Sequence, residues 1–153
     1  MTTQEQIVAI STPLGDDKLS LRKAKIQEAL GEPFSIEVEL VSDDENISLD
    51  DILGKNVTIR LETEDDTRFF NGIVTEFFQK ENIDRNACFG AVIKPWFWLL
   101  SLSENCRIFQ EKTYPDIIKM VFDDLGFSDY EDRLKDTYSL SLLSTSDDTD
   151  DIN

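Results

Sequence analysis

The chain has 153 residues, of which 40% are hydrophobic, and it carries a formal net charge of −17 with no histidine. A charge of this sign repels phosphate backbones, so nucleic acid is disfavoured as a partner unless a local basic patch exists. No run of lysine or arginine is longer than the short group of Arg22, Lys23 and Lys25. Without histidine the commonest general base and metal ligand are missing, and we expect no catalytic residues, no metal site and no cofactor.

Localisation is constrained by the N-terminus and by the apolar segments. Residues 1–15 lack the basic start and apolar stretch of a signal peptide, and no segment approaches the roughly 18 apolar residues of a membrane span. We therefore expect a chain that is cytoplasmic when made and that has no membrane contact. Cys88 and Cys106 lack CxxC spacing, which indicates two reduced thiols.

The first part of the chain alternates apolar and polar residues as half-buried strands do. A candidate strand at 7–11 is followed by a strict alternation over 34–40. Between them, the apolar residues occupy odd-numbered positions at 19–21 and even-numbered positions at 24–26. A strand through both segments must change faces near Arg22, which predicts a β-bulge there.

The middle of the chain, residues 68–110, is nearly neutral and rich in aromatic residues, whereas its flanks are acidic. Strands at 57–61 and 68–79, joined by a polar turn, predict a hairpin, and 87–93 forms the next strand. Gly72 predicts a bend or a close backbone approach.

The strand at 68–79 carries apolar side chains on both faces. We predict Phe70, Val74 and Phe78 on one face and Phe69, Ile73 and Phe77 on the other. A strand with two apolar faces is covered on both sides or presents one of them to a partner. The face of Phe69, Ile73 and Phe77 is therefore a candidate interface.

Two short helices have recognisable ends. Residues 48–54 begin with serine and end with glycine, as a single helical turn does. Thr113 as N-cap, with Pro115 in the first turn and Asp116 at the third position, starts a longer amphipathic helix that ends at Gly126.

These elements predict a mainly β fold, a mostly antiparallel β-barrel of five or six strands with one or two short α-helices. We place this domain over residues 1–143. Residues 144–153 are rich in aspartate and lack apolar periodicity, so we predict an acidic disordered tail.

The charged and aromatic residues suggest several hypotheses about function. The adjacent acidic pairs do not have EF-hand spacing and are typical of solvated turns, and no spacing singles out a glycosidase pair. A second hypothesis is a free-standing barrel that uses Trp96 or Trp98 to bind a small ligand in an apolar cavity. The apolar neighbours of these residues favour core packing instead. An acidic decoy of nucleic acid is a third hypothesis.

Six short motifs follow one another along the chain: Ser11 to Gly15, Glu28 to Phe34, Ile52 to Gly54, Arg68 to Val74, Lys94 to Leu100 and Arg107 to Gln110. Taken in this order, they resemble the start of VgrG proteins, the spike components of type VI secretion systems, which are similar to the baseplate hub of contractile phage tails. Within them, the structural family motif comprises Arg68, Phe70, Gly72, Pro95, Trp98, Leu100, Arg107 and Phe109.

The resemblance implies a phage tail hub-like domain with a structural, non-enzymatic role. Such domains form trimers in the full-length family, contact an Hcp-type tube protein and are exported through the type VI apparatus. We therefore expect self-association of this chain, binding to a tube protein and no catalysis.

Overall fold

The computed structural model describes residues 8–15, 17–63, 66–102 and 106–138. The chain comprises two compact units, Met1–Glu104 and Asn105–Asn153. The division lies inside the single domain predicted over residues 1–143. The proposed tail at 144–153 lies outside the described residues, so the boundary at residue 143 stays a prediction.

The first unit is an antiparallel sheet curled into a half-barrel. Its strands are β1 (Val8–Ser11), β2 (Ser20–Ala29), β3 (Glu32–Ser42), β4 (Asn56–Glu62), β5 (Thr67–Ile83) and β6 (Asn86–Lys94). In space they follow the order β1-β4-β5-β6-β3-β2, with every neighbouring pair antiparallel. The predicted fold class is confirmed in this half-barrel form, in which β1 and β2 are the edges of the sheet.

The face change predicted in β2 is confirmed. Leu21 pairs with Leu40 of β3 and Lys23 pairs with Glu39, so Arg22 is the extra residue of a bulge. Because one extra residue reverses the alternation of side chains, Ala24 packs against the core as Leu21 does.

A second bulge makes the predicted faces of β5 wrong. Val74 pairs with Ile93 of β6, and Glu76 pairs with the adjacent Val92, so Thr75 is inserted between them. Beyond Thr75 the alternation is reversed. Phe77 is therefore buried and stacks on Phe89 with ring centroids 5.2 Å apart, whereas Phe78 is 45% exposed.

The concave side of the sheet is filled by apolar side chains. Aliphatic residues of all six strands meet the rings of Phe70, Phe77 and Phe89 there, and Ile52 joins them from the β3–β4 connection. Phe34 packs edge-on against Phe70, with centroids 6.1 Å apart. Burial of this surface is the main driving force for folding of the unit.

Two glycines permit close approaches that a side chain would block. A Cβ at Gly72 would lie 2.6 Å from the carbonyl oxygen of Lys94 and 2.8 Å from Ile93, which confirms the predicted close backbone approach. A Cβ at Gly90 would overlap the ring of Phe78, which covers this glycine on the convex side.

Both 3-10 helices of the first unit follow strands. The first, Leu49–Asp51, confirms the predicted helical turn, although the Ser48 side chain makes no capping bond. The second, Trp96–Leu102, has no buried residue. The predicted core packing of this aromatic segment is thus wrong, because the strand ends at Lys94 and the helix turns Phe97 and Leu102 towards solvent.

The second unit contains helix α1 (Tyr114–Asp124), whose two ends agree with the sequence prediction. Thr113 and Asp116 form a reciprocal capping box. At the other end, Gly126 adopts a φ of +77°, its amide donates to Asp123, and the amide of Phe127 donates to Phe122. This pair of bonds is a Schellman motif. Within the described residues, no helix is long and apolar enough to cross a membrane.

The two glycines lead to a first prediction. Gly72→Ala forces a methyl group against backbone and should lower the free energy of unfolding by about 1–3 kcal/mol. For Gly90→Ala the three atoms nearest to the added methyl group all belong to the ring of Phe78, which can rotate towards solvent, so we expect a change within about 0.5 kcal/mol. Urea unfolding followed by tryptophan fluorescence measures both. Equal losses in the two variants would contradict the different roles of these glycines.

Candidate assembly surface

Arg68, at the start of β5, forms an ion pair with Glu28 at the end of β2. Its guanidinium donates to both carboxylate oxygens of Glu28, at 3.0 and 3.3 Å. The same guanidinium lies 4.8 Å from the centroid of the Phe70 ring, which Phe34 contacts in turn. Arg68 and Phe70 belong to the predicted family motif. Their partners Glu28 and Phe34 are the two ends of another motif, and the sequence gives no sign of the contact between the two motifs.

The convex face of β5 presents aromatic side chains to solvent. Phe69 is 66% exposed, and Ile73, on the same side, is half-buried. Phe77 does not belong to this face, because the bulge at Thr75 turns it into the core. Its neighbour Phe78 takes the outward position. The candidate surface is therefore Phe69, Ile73 and Phe78, which we call the outer aromatic face.

Ion pairs surround Phe78 on the convex side of the sheet. The Glu39 carboxylate of β3 accepts from Arg22 of β2 and, at 3.1 Å, from Lys80 of β5. Lys25 pairs with Glu37 at 3.3 Å. Exposed pairs of this kind contribute less than about 1 kcal/mol each, so they orient the strands' polar side chains more than they stabilise the fold.

The remaining motif residues lie elsewhere. Pro95, Trp98 and Leu100 follow β6, where the Lys94 ammonium lies 4.4 Å from the centroid of the Trp98 ring. Arg107 and Phe109 belong to the second unit, in which Arg107 forms an ion pair with Asp124. The structure thus brings Arg68, Phe70 and Gly72 together on β5 and does not gather all eight residues into one site.

The cavity required by a ligand-binding barrel is occupied by protein. The concave side of the half-barrel is filled by the hydrophobic core, and neither Trp96 nor Trp98 belongs to that core. Among the described residues, no group of three or more histidine, cysteine, aspartate or glutamate side chains is arranged to hold a metal ion.

A polar contact in the second unit joins helix α1 to the segment that follows it. Lys119 forms an ion pair with Asp132 beside the edge-on contact of Phe122 with Tyr130. The hydrogen bond from Lys119 lowers the pKa of Asp132, and the hydrogen bond from Thr113 lowers the pKa of Asp116. The bond to Asp132 raises the pKa of Lys119.

The lowered pKa values predict the acid sensitivity of the second unit. As the pH falls, the unfolded chain protonates Asp116 and Asp132 before the folded chain does. Their stabilisation is therefore complete above the ordinary aspartate pKa of about 4 and is lost as the pH falls through the lower folded values. Lys119 contributes in the opposite sense, since its stabilisation is lost only as the pH rises through its raised pKa.

We expect the amide hydrogen exchange of α1, corrected for its intrinsic pH dependence, to lose protection below about pH 4. A variant with both Asp116→Asn and Asp132→Asn is the control, because it has no carboxylates to titrate at these positions. Its protection should change less over the same pH range. An equal acid dependence in the two proteins would contradict the assignment.

The burial of Phe77 against Phe89 has a testable consequence. Phe77→Asp places a carboxylate in the core against Phe89 and should lower the free energy of unfolding by at least about 3 kcal/mol. Phe69→Asp alters an exposed side chain and should change it by no more than about 0.5 kcal/mol. Circular dichroism during urea titration distinguishes them, and a folded, stable Phe77→Asp protein would refute the bulge at Thr75.

A half-barrel with a filled interior and exposed aromatic side chains on its convex face defines a structural β-domain. Residues 27–142 match the model of the phage tail baseplate hub (GPD) family, and this chain belongs to that family. The resemblance identified from the sequence motifs is thereby confirmed.

Among curated relatives, the type VI secretion system spike protein VgrG1b of Pseudomonas aeruginosa is 42% identical over 139 residues, which cover 90% of this chain and 19% of VgrG1b. VgrG2b of the same organism is 32% identical over 124 residues, covering 79% of this chain and 12% of VgrG2b. The chain thus spans about a fifth or less of the length of these relatives.

A solved structure shares the fold. The E. coli c3393 protein, described as a component of the type VI secretion system with structural similarity to the T4 bacteriophage tail proteins gp27 and gp5, superposes with a TM-score of 0.64 at 21% identity. The match covers 81% of this chain and 37% of the E. coli chain.

Proposed function

We propose that this chain is a structural hub domain of a type VI secretion or phage-tail-like spike. It acts by contacts between copies of itself and with a tube protein, and it makes or breaks no covalent bond. The observation that carries this proposal is the outer aromatic face, found in a chain of the baseplate hub family.

The two sides of β5 differ in what they contact. The concave side contributes Phe70, Val74 and Phe77 to the core, so folding of the unit is already accounted for by that side. Phe69 and Phe78 stay exposed on the other side. Aromatic side chains are enriched among the residues that dominate protein interfaces, and burial of these rings against a partner would supply association energy.

The proposed partners follow from the family. Self-association into a trimer and contact with an Hcp-type tube protein are proposed because related chains are named spike proteins of the type VI secretion system. Export of the assembled protein through that apparatus is proposed on the same ground. The chain is proposed to be made in the cytoplasm.

Sedimentation velocity over a concentration series tests self-association, alone and in the presence of a purified Hcp-type tube protein. Phe69→Asp should raise the dissociation constant of self-association by about tenfold or more, because a charge would replace an anchoring ring. Phe97→Asp is the matched control, since Phe97 is a similarly exposed phenylalanine in the second 3-10 helix. Its self-association should equal that of the wild type.

Two results would count against the proposal. The first is a wild-type chain that stays monomeric at every concentration and does not bind the tube protein. The second is an equal loss of association in Phe69→Asp and Phe97→Asp, which would show that added negative charge, and not the outer aromatic face, controls assembly.

A further inference from the structure

The end of the β2–β3 hairpin projects beyond the rest of the sheet. β3 pairs with β2 from Glu32 onwards, but its ladder with β6 begins only at Ile36, close to the end of β6 at Lys94. Within the described residues, the segment 27–35 therefore forms strand pairs only within itself. We call this segment the arm. A two-stranded hairpin is at best marginally stable in water, so the arm depends on contacts outside its own ladder.

The register of β2 and β3 shifts within the arm, where Glu28 alone faces both Pro33 and Phe34. Such a bulge increases the local twist and bends the strand pair. Proline suits this position because it has no amide hydrogen to contribute to a ladder. Two of the three residues at the bulge, Glu28 and Phe34, contact β5. The bend and the contacts with β5 therefore lie at the same point of the arm.

The arm is held to a strand that is not its neighbour in the sheet. β6 and β3 lie between β5 and β2, yet Arg68 donates to both carboxylate oxygens of Glu28, and Phe34 packs edge-on against Phe70. Residues two apart on a strand share a face, so Arg68 lies on the concave side with the buried Phe70. The two contacts, which we call the clasp, thus cross the concave side of the half-barrel at the start of β5.

The clasp is weak enough to open while the sheet stays folded. The side chains of Arg68 and Glu28 are 52% and 48% exposed, and an exposed ion pair shifts an equilibrium by only about fivefold or less. Phe34 is half-buried, whereas its partner Phe70 belongs to the core. Segments held by few buried contacts open locally without global unfolding. The arm has these properties, and the strands behind it do not.

We propose that the arm is a hinged strap, which the clasp closes across the concave side and which opens as one unit. The hinge lies at the pair of Ile26 and Ile36, because Ile36 is the first residue of β3 that also pairs with β6. Salt favours the open strap, since it screens the exposed ion pair. Arg68, a residue of the predicted family motif, is thus the positioning residue of the arm. The strap requires neither a second copy of the chain nor a tube protein.

Amide hydrogen exchange, measured residue by residue by NMR, tests the strap. Arg68→Gln removes the charge of the clasp, so the amides of the arm should exchange about threefold or more faster. The amides of the β3–β6 ladder over 37–41 should keep their rates. Arg60→Gln is the matched control, because Arg60 also pairs with a glutamate and its side chain is 48% exposed, but its partner is Glu62 and not a residue of the arm. It should leave the exchange of the arm unchanged.

Salt and charge reversal give two further measurements that a general loss of stability would not reproduce. Raising the salt concentration from about 0.1 M to about 1 M shortens the Debye length from about 10 Å to about 3 Å. The exchange of the wild-type arm should then approach that of Arg68→Gln, whose own exchange should change less. Arg68→Glu alone places two carboxylates together and should open the arm. Adding Glu28→Arg to Arg68→Glu should restore most of the lost protection.

Three results would overturn the strap. Equal exchange of the arm in Arg68→Gln and Arg60→Gln would show that Arg68 does not hold it. Loss of protection in the β3–β6 ladder in step with the arm would show that Arg68 supports the whole sheet and that the arm does not open as a unit. Wild-type exchange that does not respond to salt would exclude the ion pair as the closing contact. None of these results bears on self-association, which sedimentation tests separately.

Discussion

The half-barrel depends on keeping one unbroken apolar face turned inwards along strands whose sequences do not alternate perfectly. A shift of one residue turns every following side chain to the opposite face. The bulges at Arg22 in β2 and Thr75 in β5 each insert one residue and so reverse the alternation of side chains along their strand. As a result, the side chains of Ala24 and Phe77 face the core and do not point outwards from the convex side.

The sequence predicts one of these bulges and conceals the other, for a physical reason. In β2 the apolar residues visibly change parity between Leu21 and Ala24, so a single strand must contain an extra residue. In β5 both faces are apolar and phenylalanines occur in adjacent pairs, so no break in the pattern marks Thr75. Only the pairing with β6 decides which member of the pair Phe77 and Phe78 faces inwards.

Elsewhere in the chain, too, structure that depends on neighbouring residues could be predicted from the sequence, whereas contacts between distant residues could not. Both ends of α1 were predictable because Thr113, Asp116 and Gly126 act on backbone groups within a few residues. The tie between Arg68 and Glu28 joins residues 40 positions apart, and alternation within a strand carries no information about such a partner. The composition of the aromatic segment after β6 suggested burial, but the change from strand to 3-10 helix at Pro95 exposes part of it.

The open sheet has a consequence for how the domain would respond to mechanical load. Ladder hydrogen bonds of antiparallel strands run perpendicular to the strands. A pull along the strand direction shears many of these bonds at once, whereas a pull across the sheet peels them away one after another, starting from a free edge. Since β1 forms one edge with four residues in the described part of the chain, a lateral force applied there meets less resistance than a pull along the strands, and the first unit is mechanically anisotropic.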